Sequence, residues 1–302
     1  MLDLSRLRAL HAVSVHGSVA GAAAALGYTP SAVSQQLAKL ERETRTKLVE
    51  RRGRGIALTE DALQLAATAQ QLLSIVERAE TSLEERRGLP SGRLTVGAFA
   101  TAARGLLPGA LAELARAHPA LDARMTEVDP HLSVDLVAKG VLDLAVAHDW
   151  DIAPLPAPEG VEQVVIGQDL CDLLVPASHR LAGRTDVRRE ELATERWICQ
   201  PPGTVCHDWL MRTLRSAGYE PDIAHQAEEV HTQLALIRAG LGVAMIPRLG
   251  RGTLPAGVEA VSLDPVPARR VYALWRTGAS RRPAIRETVR VLREHWETAP
   301  GW

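Results

Sequence analysis

The chain has 302 residues, 46% of them apolar and 24% charged, with a net charge of −1. That length exceeds one ordinary core and suits two or three domains, and the apolar content indicates a soluble globular protein. Cys171, Cys199 and Cys206 are too few for a disulfide scaffold and fit a reducing compartment.

The near-neutral total hides an asymmetry. Residues 1–58 carry nine Lys/Arg against four Asp/Glu, whereas residues 59–90 and 91–302 each net −3. A basic head on a mildly acidic body suits a module that meets an anionic polymer. No Asp, Glu, Lys or Arg occurs from Ala9 to Ala38. Gly17-Ser18, Gly27, Pro30 and the Ser/Gln content nevertheless argue against a spanning helix. The N-terminus also lacks a signal peptide's cationic start and cleavage pattern, so a cytoplasmic location is expected.

Leu4 to His16 reads as an amphipathic helix, with Leu4, Leu7, Ala12 and Val15 placed to pack behind the next two helices. Gly17 breaks it, and Ser18 is a good N-cap for a helix over Val19 to Leu26. Gly27-Tyr28-Thr29 is a tight turn. Thr29 caps the next helix, and Pro30 takes its first position, where a missing N–H costs nothing. Val33, Leu37 and Leu40 share the inward face. Ser31, Gln35, Ala38 and Arg42 lie opposite, flanked by Ser34 and Lys39. That small, polar, partly cationic face suits a DNA major groove. A solvated helical hairpin is the plain alternative. Leu48 to Thr59 then reads as a hairpin with Arg51, Arg52 and Arg54 at its tip, a wing suited to the phosphate backbone.

The stretch LRALHAVSVHGSVAGAAAALGYTPSAVSQQLAKLERETRTKLVERRGRGIALTEDA resembles the winged helix-turn-helix of LysR-type transcriptional regulators. The resemblance implies a sequence-specific DNA-binding regulator, not an enzyme, which pairs with itself as a dimer or tetramer and binds inverted half-sites. RNA polymerase is a further partner in that scheme. Candidate DNA contacts are Ser18, Thr29, Pro30, Ser31, Ser34, Gln35, Lys39, Arg42, Arg51, Arg52 and Arg54. Gln35 is expected at a base edge, Ser31 and Ser34 at bases or phosphates, and the wing arginines on the backbone.

Thr59 to Arg87 reads as one long helix with an acidic start. Leu65, Ala69, Leu72, Val76, Ala79 and Leu83 form an a/d heptad seam for self-pairing. Leu89-Pro90-Ser91-Gly92 is a linker. Strands and helices then alternate: strand 93–97, helix 102–118, strand 124–128, helix 133–139 and strand 142–147. After a loop with prolines at 154, 156 and 158 come strands 161–166 and 172–175. A short helix at 189–193, strand 197–199, helix 205–217, strand 223–228, helix 232–239, strand 243–246, strand 271–275 and helix 284–296 complete the pattern.

The segments GRLTVGAFATAARGLLPGALAELARAHP, GVLDLAVA, LLVPASHRLAG and IRAGLGVAMIP resemble the effector-binding region of the same family, a two-lobed α/β fold like periplasmic solute-binding proteins. The expected organisation is 1–58 for the DNA-binding domain, 59–90 for the linker and dimerisation helix, and 91–302 for the effector domain. Lobe one would comprise 92–166 and 269–302, and lobe two 167–268, with crossovers near Gly167 and Pro265 to Arg269.

A small-molecule effector, one bearing a carboxylate by preference, is expected in the cleft between the lobes. Two helix starts would face it, at Thr101 and at Pro202-Gly203-Thr204, each offering free N–H groups to an anion. Structural capping explains either threonine equally well, but the resemblance favours Thr101. His148, His231 and Thr232 are the remaining candidate lining residues. The scarcity of Phe and Tyr gives no sign of an aromatic cage, so a ring-stacking ligand is not expected. No nucleotide-loop, metalloprotease, nucleophile-elbow or CxxC motif occurs, and the ten histidines lack metal-ligand spacing, so neither cofactor nor metal is expected. Two alternatives stand beside the effector reading. One is a switch by oxidation of Cys199 or Cys206, the latter near a helix start that favours a thiolate, against a plain reading of both as buried thiols. The other is a two-lobed α/β enzyme carrying a helical head.

Overall fold

A computed structural model describes residues 2–52 and 55–298. The chain forms two compact units, one built on Met1–Gly88 and the other holding nearly all residues from Leu89 onward. Among the described residues, no single helix is long and apolar enough to cross a bilayer.

The first unit runs α1 (Leu4–His16), α2 (Val19–Leu26), α3 (Pro30–Thr44), β1 (Val49–Arg52), β2 (Gly55–Leu58) and α4 (Glu60–Arg87). Its helix ends come from local chemistry. Asp3, Ser18, Thr29 and Thr59 each accept an N–H three residues on, which supplies a partner for an orphan donor. Gly17 and Gly27 adopt left-handed φ values of 64° and 68°, which end α1 and α2 at no steric cost. Val33, Leu37 and Leu40 are buried with Leu7, Leu10, Val13, Ala22 and Ala23 in one core. Glu41 accepts the backbone N–H of Leu48 (2.8 Å) and Val49 (3.2 Å), which fixes the wing strand to α3.

The heptad seam needs a correction. Ala62, Ala66 and Ala69 are buried in the core of the unit, with Leu65 packed against it, because small residues let α4 lie close on α1. Leu65 and Ala69 are therefore taken up at home. Only the later part of the seam is open: Leu72 and Leu83 are 39% and 56% exposed, with Ile75 beside them at 52%.

The second unit begins with β3 (Gly92–Ala98), α5 (Ala100–Gly105), α6 (Leu107–Ala117), β4 (Leu121–Glu127), α7 (Pro130–Ala138) and β5 (Leu144–Trp150). It continues with β6 (Val161–Pro176), β7 (Arg196–Cys199), α8 (Val205–Ser216), β8 (Asp222–Gln226), α9 (Val230–Arg238), β9 (Ala244–Pro247), β10 (Val258–Val261), β11 (Ala268–Arg276) and α10 (Pro283–Thr298). The main sheet has the order β10-β6-β11-β5-β3-β4, with β9 also on β6, while β7 and β8 form a separate parallel pair.

The expected alternation of strands and helices is present, in a two-lobed α/β arrangement. The apolar run of β5 reflects burial on both faces: Leu144 and Val146 join the α5, α6 and α10 side, Ala145 and Ala147 the α7 side. Three details differ from the sequence reading. The helix expected over 102–118 breaks at Leu106 into α5 and α6, where Pro108 cannot donate a ladder hydrogen bond. The strands expected at 161–166 and 172–175 are one strand, β6. Its first part pairs with β11 and its last part with β9 and β10, so it passes from one lobe to the other without a break. Strand β10 went unread in the sequence.

Candidate functional site

The outward face of α3 is the first candidate. Ser31, Ser34, Gln35, Ala38, Lys39 and Arg42 are all exposed, opposite in period to the buried Val33, Leu37 and Leu40. The side chains of Ser31, Ser34, Gln35 and Lys39 make no hydrogen bond to the described residues, so they are available to a ligand. Arg42 reaches only the Ala38 carbonyl, at 3.3 Å. Ser18 and Thr29 act as N-caps, at 3.0 Å and 3.2 Å, which engages their hydroxyls, and Pro30 holds the first position of α3. The backbone of Arg51 and Arg52 lies in β1, paired with Ile56 and Gly55. Their side chains, and Arg54 entirely, lie outside the described residues.

The second candidate is a cleft in the second unit. Strand register builds its floor. Arg269 on β11 stands opposite Asp169 on β6 and Trp150 on β5, so the three side chains share one face of the sheet. The next pair, Arg270 and Asp149, is on the other face and joins in a two-pronged ion pair of 3.0 and 2.7 Å. His148, two residues before Trp150, returns to the Arg269 face.

Arg269 is 2% exposed and Asp169 fully buried. The Arg269 Nε donates to Asp169 Oδ2 at 2.8 Å, and its Nη2 donates to Thr101 Oγ1 at 2.7 Å. The other Asp169 oxygen accepts the Leu249 N–H at 2.9 Å. The guanidinium also lies 4.8 Å from the centre of the Phe99 ring. Around this pair is an aromatic cluster. His148 meets Phe99 edge-on at 4.5 Å, and Trp150 stacks on Trp209 of α8 at 3.8 Å and 13°. Trp150 thus belongs by strand to one part of the sheet and by packing to the core that contains Cys171, Trp197 and Trp209.

These groups border a cavity of about 490 Å³, counting its open mouth, with Thr101, Trp150, Cys206, Trp209, Gln233 and Arg269 in its lining. Ile198, Leu210, Val230, Met245 and Ile246 make most of the remaining wall apolar. Cys206 Sγ is 3.9 Å from His148 Nε2. Burial pushes the His148 ring well below the usual imidazole range, so it is neutral near pH 7. Burial pushes the Cys206 thiol up, while the Arg269 guanidinium and the Trp150 indole N–H act against that rise. Cys199, buried at the end of β7, is pushed up to about 11 by burial alone. His148 Nδ1 and Trp150 Nε1 are buried with no nitrogen or oxygen partner.

Of the residues expected to line a cleft, Thr101 lines this cavity, and His148 is buried behind its wall, against Cys206 and Phe99. Pro202, Gly203 and Thr204 do not reach the cavity wall. Thr204 caps α8, accepting from His207 at 3.3 Å and donating to the Pro201 carbonyl at 3.0 Å, and the first turn of α8 offers Cys206 instead. His231 and Thr232 are exposed and bound to Glu229, which caps α9. Two of the six tryptophans, Trp150 and Trp209, also stand in the wall, where the scarcity of Phe and Tyr gave no sign of an aromatic cage. Trp150, Asp169 and Arg269 went unread. Among the described residues, no group of three His, Cys, Asp or Glu is placed to hold a metal.

Family comparison agrees with this architecture. Residues 4–63 match the bacterial regulatory helix-turn-helix protein, LysR family, and residues 87–297 match the LysR substrate binding domain. A protein of Streptomyces viridosporus named "Probable hydrogen peroxide-inducible genes activator" is 30% identical over 99% of this chain and 96% of its own length. One of the same name from Mycobacterium avium is 30% identical over 96% of this chain and 93% of its own. Among solved structures, a full-length OxyR variant from Pseudomonas aeruginosa has a TM-score of 0.73 at 22% identity, covering 97% of this chain and 95% of that one. CbnR complexed with its target DNA has a TM-score of 0.60 at 22% identity, covering 97% and 100%.

The buried pair gives a stability test. Arg269→Met leaves the Asp169 carboxylate without its cation, and the expected loss is about 3–5 kcal/mol in denaturant unfolding of the second unit. The Asp169→Asn/Arg269→Met double variant should recover part of that loss, since no charge is then left alone.

Proposed function

The chain belongs to the LysR family of bacterial DNA-binding transcriptional regulators, and we propose that α3 reads its operator while the cleft beside Arg269 senses its signal. The observation that carries the first part is the outward face of α3, where the exposed side chains of Ser31, Ser34, Gln35 and Lys39 have no partner among the described residues. Gln35 suits a two-pronged contact with adenine, Ser31 and Ser34 reach bases or phosphates, and Lys39, Arg42 and the wing arginines neutralise the backbone. The chain acts as a homodimer or a tetramer on inverted half-sites, paired through the open positions of α4, in the cytoplasm and without enzymatic activity. RNA polymerase is its further partner in transcription.

The signal is a small molecule bound in the cleft, touching Thr101 and its neighbours. Arg269 is already matched by Asp169, so among the described residues the cleft offers no free cation, which favours a compact uncharged polar head over a carboxylate. A second reading places the signal on sulfur. Cys206 lies in the same cleft, 3.9 Å from a neutral His148, and the relatives from Streptomyces and Mycobacterium are named for peroxide induction.

Three experiments bear on these readings. In mobility shifts with the promoter next to its own gene, Gln35→Ala should lose about 1–3 kcal/mol of discrimination at one base pair. Arg52→Ala should weaken all sequences alike and flatten the salt dependence. Leu72→Glu places a charge on the open part of α4, and the sedimenting mass should fall towards that of a single chain; an unchanged mass would place self-pairing elsewhere. Finally, Thr101→Val and Cys206→Ser separate the two signals in a reporter strain. Loss of response in the first alone supports a reversibly bound effector. Loss of the peroxide response in the second supports the cysteine switch.

A further inference from the structure

The cleft holds a buried donor with nothing to donate to. Trp150 is 1% exposed, lines the cavity, and its indole Nε1 has no nitrogen or oxygen partner. An indole N–H can only donate, and leaving it unpaired inside a protein is costly. Its orientation is held by the stack on Trp209 and by its place on β5 between cross-strand neighbours. Trp150, Cys206 and Arg269 line the same cavity, and the indole N–H and the guanidinium both act to lower the Cys206 thiol, whose sulfur is a weak acceptor. Two N–H donors therefore converge on a thiol that cannot satisfy them, and a neutral imidazole nitrogen stands 3.9 Å from the same sulfur.

We propose that Trp150 is a positioning residue for oxidation of Cys206, its indole N–H, together with Arg269, holding the oxygen that the sulfur gains from a hydroperoxide. The proposal rests on the second reading above. In the step, the sulfur forms a bond to one peroxide oxygen as the O–O bond breaks. The thiol proton passes to His148 Nε2 and from there to the departing oxygen, which leaves as an alcohol, or as water when the oxidant is hydrogen peroxide. Sulfur is oxidised by two electrons and the peroxide is reduced by two, giving the sulfenic acid. The new oxygen is a strong acceptor where the thiol was a weak one, so oxidation supplies the partner that Trp150 lacks. The other thiols are poor candidates to resolve it. Cys171 and Cys199 are buried, and burial holds both protonated, whereas disulfide formation needs a thiolate.

The test uses the full chain, with hydrogen peroxide as the oxidant, sulfenate trapping with a cyclic diketone followed by mass spectrometry, and ¹⁵N-indole NMR. Trp150→Phe preserves the ring and the stack but removes the N–H. The expected result is a trapped sulfenate at Cys206 and a downfield shift of one indole N–H resonance on oxidation, the resonance that Trp150→Phe deletes. In that variant the sulfenate lifetime should fall about fivefold. The alkylation rate of the reduced thiol should stay as in the wild type, which a merely structural effect of the substitution would not predict. Absence of any oxidation at Cys206 in the wild type would overturn the redox reading itself. Oxidised Cys206 with an unmoved Trp150 resonance would overturn the role of Trp150 and leave the redox reading standing, whether or not Trp150→Phe folds.

Discussion

The second unit depends on one buried ion pair. Arg269 and Asp169 are 100 positions apart in sequence, and Thr101 is 168 from Arg269, yet the three meet in a single hydrogen-bonded chain. Two charges out of water are tolerable only when their remaining donors and acceptors are met. Here Leu249 N–H and Thr101 Oγ1 supply those partners, so β6, β11, α5 and the loop after β9 are all fixed by one constraint. The backbone shows how tightly they fit. A Cβ on Gly250 would lie 2.2 Å from the Thr101 carbonyl oxygen, and one on Gly105 would lie 2.7 Å from the Gly250 backbone. Gly250 also has a left-handed φ of 65°, so both its conformation and its surroundings demand glycine. Arg104 closes the contact by donating from Nε to the Gly250 carbonyl at 2.5 Å.

The two candidate sites are built on opposite principles. On α3 the polar groups are left free, exposed and mounted on a helix whose inner face is locked by Val33, Leu37 and Leu40. Such a surface is ready for a large anionic partner whose own groups complete the hydrogen bonds. In the cleft the Arg269–Asp169 pair is held by Thr101 and the Leu249 N–H, and Gln233 donates to the Ala227 carbonyl at 2.6 Å, while the Trp150 indole nitrogen has no nitrogen or oxygen partner. A satisfied polar network holds one arrangement until something supplies better partners. That is the behaviour expected of a sensor, and the free face of α3 is the behaviour expected of a reader.

The sequence was informative where chemistry is local. Helix caps, breakers and faces depend on residues three or four apart, so Ser18, Thr29, Pro30 and the α3 pattern could be read directly, as could the alternation of strands and helices. The cleft could not be read this way, because it is made by strand register. Nothing near Arg269 in the sequence says that it stands opposite Asp169 and Trp150. Local capping chemistry points to Thr204, His231 and Thr232, and in the fold Thr204 caps α8 while Glu229 binds the other two. The same limit explains the seam. A 3-4 spacing identifies the apolar stripe of α4 but not which turns of it are covered by α1.

The charge arrangement also narrows what can bind the cleft. A free anion would have to draw Arg269 from Asp169, leaving a buried carboxylate unpaired, and among the described residues no other cation lines the cavity. Asp129 carries a carboxyl raised by burial, with Glu228 and Asp208 acting in the same direction, so the added negative charge of such a ligand would meet acidic neighbours. The helix starts do not reverse this balance. The first turn of α8 presents Cys206 and its Thr204 hydroxyl is engaged in capping, while the N-terminal N–H groups of α9 at His231 and Thr232 are taken by Glu229. What remains in the wall is the Trp150 indole N–H and the Cys206 thiol among apolar and aromatic residues. Under the proposed sensing role, those groups suit a small, uncharged, oxygen-bearing species better than an anion.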